Sequence, residues 1–525
     1  MPISNSKTPG VYINEINAFP NSVVPVATAI PAFIGYTPQA SYNGKDYTNI
    51  PVKITSFAEF QTFFCYPNPP ENEDLKKQYN PQYYLVAQEN QQNTDHFIQL
   101  NNANYAILPD PNTIYYLYNS IRLFYDNGGG DAYIVSVGSY GKSLGKPINL
   151  GKQIVNPNVK LEELLNGLSL LKIEQEPTMY ICPEATLLSI KNNGTLMQQM
   201  LSQCSEMQTA ISIFDIIGSK NPDPINFTND IATFRNNTGI QGLNYGVAYY
   251  PFVETTIMQI SEIDYTNLFE GDLDKLKPIL SPSSHPNEIV ETIFSKIGNP
   301  TETSLKTSQY HNSLIAASTT YSTIIKQILK DINILPPSGG IAGVITTTDN
   351  NQGVWKAPAN TTINKVASLP INLTSSQQVG LNVDAATGKS VNAIRSFTGQ
   401  GILIWGARTL DGNSQDWRYL SVRRTMIYIE QSCKLAAQAY VFQPNDKNTW
   451  EAVKSMISSF LTDIWKQGGL QGAKASDAFS VQCGLGTTMT SEDLLNGFMN
   501  ITVKVAVTRP AEFILLTFQQ EMVTS

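Results

Sequence analysis

The residues best equipped for chemistry are few and scattered. Ser136 to Ser143 reads Ser-Val-Gly-Ser-Tyr-Gly-Lys-Ser and follows a strand-like run, which evokes a phosphate-binding loop. That loop cradles phosphates with backbone N–H groups, and its GxxxxGK[ST] pattern needs glycine where Ser136 stands. A strand-to-loop turn is the better reading. Gly128-Gly129-Gly130 precedes its strand instead of joining strand to helix, so it reads as a tight turn and not as a dinucleotide fingerprint. A Ser/His/Asp triad needs a histidine to carry the proton, and only His96, His285 and His311 exist. Two of them fall in or beside polar insertions, with no GxSxG nearby. The sequence contains no HExxH, no paired Cys/His ligands and no acidic calcium loop, so no cofactor or metal site has a candidate.

Cys65, Cys182, Cys204, Cys433 and Cys483 are odd in number, far apart and without a CxxC pair. Neither a disulfide framework nor a zinc ribbon fits, and five core thiols in a reducing cytoplasm are the simpler expectation. At 525 residues, 42% hydrophobic and 15% charged, the chain has room for two to four domains of ordinary globular type. Its formal charge of -8 is spread without long runs of one sign, which argues against nucleic acid as a partner. MPISNSKTPGVYINE lacks a basic region followed by an apolar stretch, and no window approaches the roughly 20 apolar residues of a membrane span. Synthesis in a cytoplasm without a signal peptide, and no direct membrane insertion, are the expectations.

The elements that would position any site fall into four segments. Residues 1–24 read as an arm: a strand-like patch, Val11-Tyr12-Ile13-Asn14-Glu15-Ile16, is set between Pro9-Gly10 and Pro20, and no hairpin partner is nearby. Pro20, Pro25 and Pro31 then keep the chain extended. Residues 25–345 alternate buried-strand runs (AFIGYT, AYIVSV, TMYICPEA, AISIFDII, YGVAYYPFV) with helical patterns (TSFAEFQTFF, YYLYNSIRLFYDNG, LEELLNGLSLL and 312–332), the order of an α/β domain with a partly parallel sheet. Polar stretches at about 67–113 and 256–310 interrupt it as surface insertions.

Residues 346–507 read as an α+β C-terminal domain, loop-rich at 345–395. A strand, Gly401 to Gly406, leads to a long helix with Tyr419, Val422, Met426, Ile429, Cys433, Ala436 and Tyr440 on one face. Thr449 is the expected N-cap of a second helix carrying Trp450, Val453, Ile457, Phe460 and Ile464, which Gly468-Gly469 stops. Ile501, Val503, Val505 and Val507 alternate as a strand. Residues 508–525 form a second arm, in which Arg509-Pro510 precedes the apolar run Phe513-Ile514-Leu515-Leu516-Thr517-Phe518.

TPGVYINEI, AFIGYT, ITSFAEFQTFF, YDNGGGDAYIVSV, LPPSGGIAGV with GVWKAPAN, DWRYLSVRRTMIYIEQS, FQPNDKNTWEAV and VAVTRPAEFILLTF resemble segments of contractile tail sheath proteins. That family includes phage tails and the related extracellular contractile injection systems. The resemblance runs from about residue 8 to about 520 and leaves 67–113 and 256–310 unmatched. One departure is visible, Cys483-Gly484-Leu485 where many members carry Cys-Asp, and it bears on a local turn only.

The resemblance implies a non-enzymatic subunit that stacks in six-membered rings around an inner tube. It would be held extended until a baseplate triggers shortening, with baseplate and terminator or cap proteins as further partners, inside a phage tail or a released tail-like particle. An isolated strand leaves main-chain groups unpaired, so a terminal strand on a tether gains by adding to another sheet edge. Val11, Tyr12, Ile13, Glu15, Ile16, Phe513, Ile514, Leu516 and Phe518 are therefore the expected inter-subunit contacts. Pairing of these strands with each other or with their own domain is the alternative. Arg418, Arg423, Arg424 and Lys434 are candidate tube or neighbour contacts, against the plainer reading of a solvated helix face; basic residues in a first turn oppose the helix dipole and so call for partners. Two other classes remain to be distinguished: an α/β hydrolase or transferase would show a convergent polar pocket, and a surface adhesin would need a signal peptide and repeated β domains.

Overall fold

The computed structural model describes residues 22–67, 76–89, 97–100, 103–298 and 306–516. Val11 to Ile16, His96, Thr517 and Phe518 lie outside them. The chain divides into two compact units. The larger takes residues 28–352 and 357–423; the smaller takes the described residues before 28, the short stretch 353–356, and those from 424 onward.

Near-continuous apolar runs form the sheet of the larger unit, because strands covered on both faces cannot alternate with polar residues. Pro31–Thr37, Met179–Ile181, Ile211–Asp215 and Gly246–Tyr250 are buried at every position. The nine-stranded sheet runs in the order Thr361–Thr362, Gly401–Trp405, Asn392–Phe397, Gly246–Tyr250, Ile211–Asp215, Met179–Ile181, Pro31–Thr37, Ala132–Ser139, Val52–Ile54. From Asn392–Phe397 across to Ala132–Ser139 every pairing is parallel; the flanking strands are antiparallel.

Successive side chains on one strand point to opposite faces, and Pro31–Thr37 shows what covers each. The Phe33 ring meets Phe124 of the helix Leu117–Asp126 edge-on at 5.4 Å. Ile34 lies against Gly167 of the helix Leu161–Leu170, where an added Cβ would come within 2.9 Å. The α/β reading of this part is thus correct.

Three sequence expectations need correction. The stretch 312–332 is two helices, Thr307–Ala317 and Thr319–Ile332, because the Ser318 side chain accepts from the Tyr321 N–H and starts a new helix there. The passage at 345–395 is more regular than its composition implies: the helix Ser338–Gln352 runs into it, and the helix Ser375–Asn382 follows behind a Thr374/Gln377 capping box. Residues 357–423 belong with the larger unit and not with the C-terminal part, because Thr361–Thr362, Asn392–Phe397 and Gly401–Trp405 extend its sheet.

The two polar insertions are not independent decorations. Residues 83–88, 97–100 and 103–109 make an antiparallel sheet, and the turn at 264–271 is threaded into its base. Gln82 donates to the Thr266 carbonyl at 3.0 Å and accepts from the Glu270 N–H at 3.0 Å. Asn267 donates to Asn80 and to the Pro81 carbonyl, each at 2.8 Å. Tyr84 packs edge-on against Phe269 at 5.6 Å. The Tyr83 hydroxyl, fully buried, donates to Asp331 at 2.6 Å.

The segment Ser338-Gly339-Gly340-Ile341-Ala342-Gly343 has a packing role. A Cβ at Gly339 would stand 2.3 Å from the Ser120 carbonyl, and one at Gly343 2.5 Å from that of Phe124. Glycines at this spacing let Ser338–Gln352 lie backbone to backbone on Leu117–Asp126. Gly343→Val is expected to destabilise the larger unit by about 1–3 kcal/mol through overpacking. Urea unfolding would measure it against Gly380→Ala, a helical site with nothing within 4 Å of the added Cβ.

Candidate assembly interface

In an open parallel sheet a ligand is held at the carboxyl ends of the strands, where the connections diverge. Here that point lies between Pro31–Thr37 and Met179–Ile181, since the chain passes from the first to Ala132–Ser139 on one side and returns to the second on the other. Glu184 fills it. The helix Leu117–Asp126 has no capping side chain at Tyr116; instead the Glu184 carboxyl accepts from the N–H groups of Leu117 at 2.8 Å and Tyr116 at 3.3 Å. Gly35 makes room, as a Cβ there would fall 2.3 Å from Glu184 Oε2. Complete burial pushes the Glu184 carboxyl up to about 8 despite these donors.

One strand further on, Asp215 accepts from the Ser338 hydroxyl at 2.6 Å and from its N–H at 3.0 Å, capping Ser338–Gln352. Burial pushes it up to about 7. Both positive helix ends that face this edge of the sheet are therefore occupied by the chain's own acids.

A cavity of about 360 Å³ lies nearby, bounded by Tyr116, Thr186, Lys220, Phe252 and Asp331. Its buried charges are already matched, with Lys220 3.1 Å from Asp331. His311 is a core histidine whose Nδ1 meets the Tyr321 hydroxyl at 2.9 Å, and His285 is exposed. The five cysteines are free thiols. Ser136 lies inside the strand Ala132–Ser139, its hydroxyl 2.6 Å from that of Thr37.

The smaller unit is organised for pairing. The helix Lys447–Lys466 is capped by Asp446, three residues before the expected Thr449, whose N–H it accepts at 3.0 Å. Its buried face, Val453, Met456, Ile457, Phe460, Leu461 and Ile464, packs with Ile429, Leu470 and Val23, and Val481 and Val503 of the adjoining sheet lie against the same core. That sheet has two antiparallel strands, Phe479–Cys483 and Ile501–Val505, and neither has a further strand partner among the described residues. Cys483-Gly484-Leu485 opens a compact turn in which the Met489 N–H bonds the Gly484 carbonyl at 3.2 Å.

Both arms leave this unit. Val23 is in its core, and the Val26 N–H is fixed to the Ser432 hydroxyl at 3.1 Å, so the chain before residue 22 departs from here. At the other end Thr508 is pinned to the Gly469 carbonyl at 3.1 Å. Beyond it residues 511–516 have no regular structure, and Phe513, Ile514, Leu515 and Leu516 are 76%, 79%, 92% and 72% exposed. Four consecutive large apolar side chains in water mark a surface that needs a partner.

The arginines behave differently from the sequence reading. Arg423 and Arg424 are buried, so neither presents a free basic face. The Arg423 guanidinium lies 4.3 Å from the Trp417 ring and 4.8 Å from that of Tyr245, a cation–π sandwich that supplies the partner its awkward first-turn position called for. Arg418 is half-buried and donates from Nε to the Ser414 carbonyl at 2.9 Å; Lys434 is exposed. Spacing on a helix does not reveal a stack whose members come from 245 and 417.

Glu184 offers a pH test. Its ordinary value is 4.5, so the folded chain holds a proton there that the unfolded chain has lost by neutral pH. The stability this brings is complete below the unfolded value and disappears as pH rises through about 8. Asp215, raised from 3.8 to about 7, acts in the same sense. Glu184→Gln is expected to flatten the fall in urea midpoint between pH 5 and pH 9 without abolishing it; a wild-type midpoint that rises over this range contradicts the assignment.

Comparison with known proteins fits this anatomy. Residues 287–410 match the phage tail sheath protein central domain, and residues 413–521 the phage tail sheath C-terminal domain. The chain is 29% identical over 139 residues to the tail sheath protein of Vibrio phage KVP40; the match takes in 26% of this chain and spans about a fifth of that relative, 20% of its length. A chain in the baseplate structure of the anti-feeding prophage (AFP) is 25% identical, with a TM-score of 0.56 over 98% of this chain and 100% of that one. The AFP helical sheath in its contracted state (24% identical, TM-score 0.58, 98% and 100% covered) and the sheath complex of PVC, an extracellular contractile injection system, also contracted (24%, 0.56, 98% and 98%), share the fold. The chain carries the central and C-terminal domains of the phage tail sheath protein family, at residues 287–410 and 413–521.

Proposed function

We propose that this chain is the structural subunit of a contractile sheath, polymerising as stacked six-membered rings around an inner tube and shortening to drive that tube through a target envelope. The observation that carries the reading is the exposed apolar run Phe513 to Leu516 in the same unit as a two-stranded sheet that has no further strand partner among the described residues. A strand donated by a neighbour would bury the run and satisfy the main-chain groups of the edge, so each subunit would be tied to others by hydrogen bonds that outlast sliding of the globular parts. Val11 to Ile16 would serve the same purpose at the other end. The chain performs no reaction on a substrate in this role.

Near-complete mutual coverage with AFP and PVC chains, against a short match to the phage protein, favours a released injection particle over a virion tail. Baseplate, tube and cap proteins are the partners that such a particle requires. No helix among the described residues is long and apolar enough to cross a membrane.

Phe513→Asp combined with Leu515→Asp should leave the monomer folded by circular dichroism and abolish long tubes in negative-stain images, as should removal of residues 1–20. Tubes of normal length from either variant would end the strand-exchange reading.

A further inference from the structure

We propose that Lys77 and Asn267 become joined by a self-catalysed isopeptide bond between Lys77 Nζ and Asn267 Cγ, with Asp264 as the proton-transfer group, which locks the two insertions of the larger unit together. Lys77 comes from the first insertion and the other two residues from the second. Lys77 Nζ lies 2.5 Å from Asn267 Oδ1, 2.8 Å from Asp264 Oδ2 and 3.0 Å from Thr266 Oγ1. An amine this close to a carboxamide oxygen is within attacking reach of its carbon. The other buried lysine pair, Lys220–Asp331, has a tyrosine hydroxyl as its third member and no carboxamide on the lysine.

The surroundings suit acyl transfer. Asn267 is fully buried and Asp264 nearly so. The Asp264 backbone N–H donates to Asn267 Oδ1 at 3.0 Å, a donor already aimed at the oxygen that gains charge when the amine adds. The Asn267 amide nitrogen, the future leaving group, is held by Asn80 and Pro81. Burial lowers Lys77, so its ammonium gives up a proton more readily than a surface lysine. Burial pulls Asp264 upward, but the Lys77 charge and the Thr266 hydrogen bonds outweigh it and keep the carboxylate below its ordinary range, ionised and able to accept that proton. Burial also lowers His311, which feels both charges, so it adds no competing cation.

The step balances without a co-reactant. Asp264 takes a proton from the Lys77 ammonium, and neutral Nζ adds to Asn267 Cγ. The C–Nδ2 bond then breaks as the nitrogen collects protons from Asp264 and from Nζ. One N–C bond forms, one breaks, the nitrogen leaves as ammonium and Asp264 is returned to its carboxylate form, and nothing is oxidised or reduced. The reaction turns over once per chain and closes a loop between residues 190 positions apart. It would support a subunit under shear, where only non-covalent contacts such as the Lys77–Asp264 ion pair and the Tyr84–Phe269 packing otherwise join the insertions.

Intact mass of the purified full chain in denaturant tests this directly. The expected value is about 17 Da below the sequence mass, the loss of one ammonia, after allowance for amino-terminal processing. Tandem spectra should show a branched peptide joining Lys77 to Asn267, and Lys77→Arg should remove the deficit. A wild-type mass equal to the sequence mass overturns the proposal, even where the variants fold poorly. So does a deficit that persists in Lys77→Arg, or one that maps to the Asn43-Gly44 or Asn496-Gly497 steps, where a succinimide loses the same ammonia.

Discussion

The ladder of Phe479–Cys483 and Ile501–Val505, which no further strand joins among the described residues, is the constraint on which the proposed assembly of this protein turns. A two-stranded sheet is marginal by itself, and this one persists because Val481 and Val503 rest on the core of the helix Lys447–Lys466. Neither outer edge has a further strand among the described residues. The same small unit releases both arms, one anchored through Val26 and Ser432 and the other through Thr508 and Gly469. A sheet with no further strand among the described residues and the exposed apolar run Phe513 to Leu516 occur together in this unit. The proposed strand exchange would complete the sheet from other copies, and polymerisation would then follow from hydrogen-bond accounting.

The larger unit is built to the opposite specification. Its parallel sheet is covered on both faces, and its incoming helices are capped from inside by Glu184 and Asp215. An enzyme of this architecture leaves the positive helix ends at the switch point free for an anion. Here a buried acid and the missing Cβ of Gly35 close that space. The elevated carboxyls are in this light consequences of plugging: the acid is worth most to the fold when it caps a helix while keeping its proton.

The two insertions illustrate how polar composition can mislead. Between 67 and 113 and between 256 and 310 the chain looks like loop, yet Gln82, Asn80 and Asn267 are rich in hydrogen bonds because each insertion supplies the partners the other lacks. Asn267 is fully buried although Asp264, Thr266 and Glu270 stand close to it in sequence. An amide can be buried at little cost only when every donor and acceptor is met, and that condition is satisfied across a gap of almost two hundred residues.

Sequence alone determined the buried-strand runs of the larger unit, the amphipathic face of Lys447–Lys466, the alternation at Ile501–Val505 and the apolar tail at Phe513, because each depends on local periodicity or local composition. The resemblance, too, was legible in short segments such as LPPSGGIAGV, whose first and third glycines are now explained by the carbonyls of Ser120 and Phe124. What only the tertiary structure decided were the matters that depend on partners distant in sequence: Glu184 at the end of a helix 67 residues away, Arg423 between Trp417 and Tyr245, the attachment of 357–423 to the large sheet, and Lys77 against Asn267. The physical reason is that periodicity records which face of an element is buried, whereas the identity of the group that meets a buried charge is set by how the elements pack.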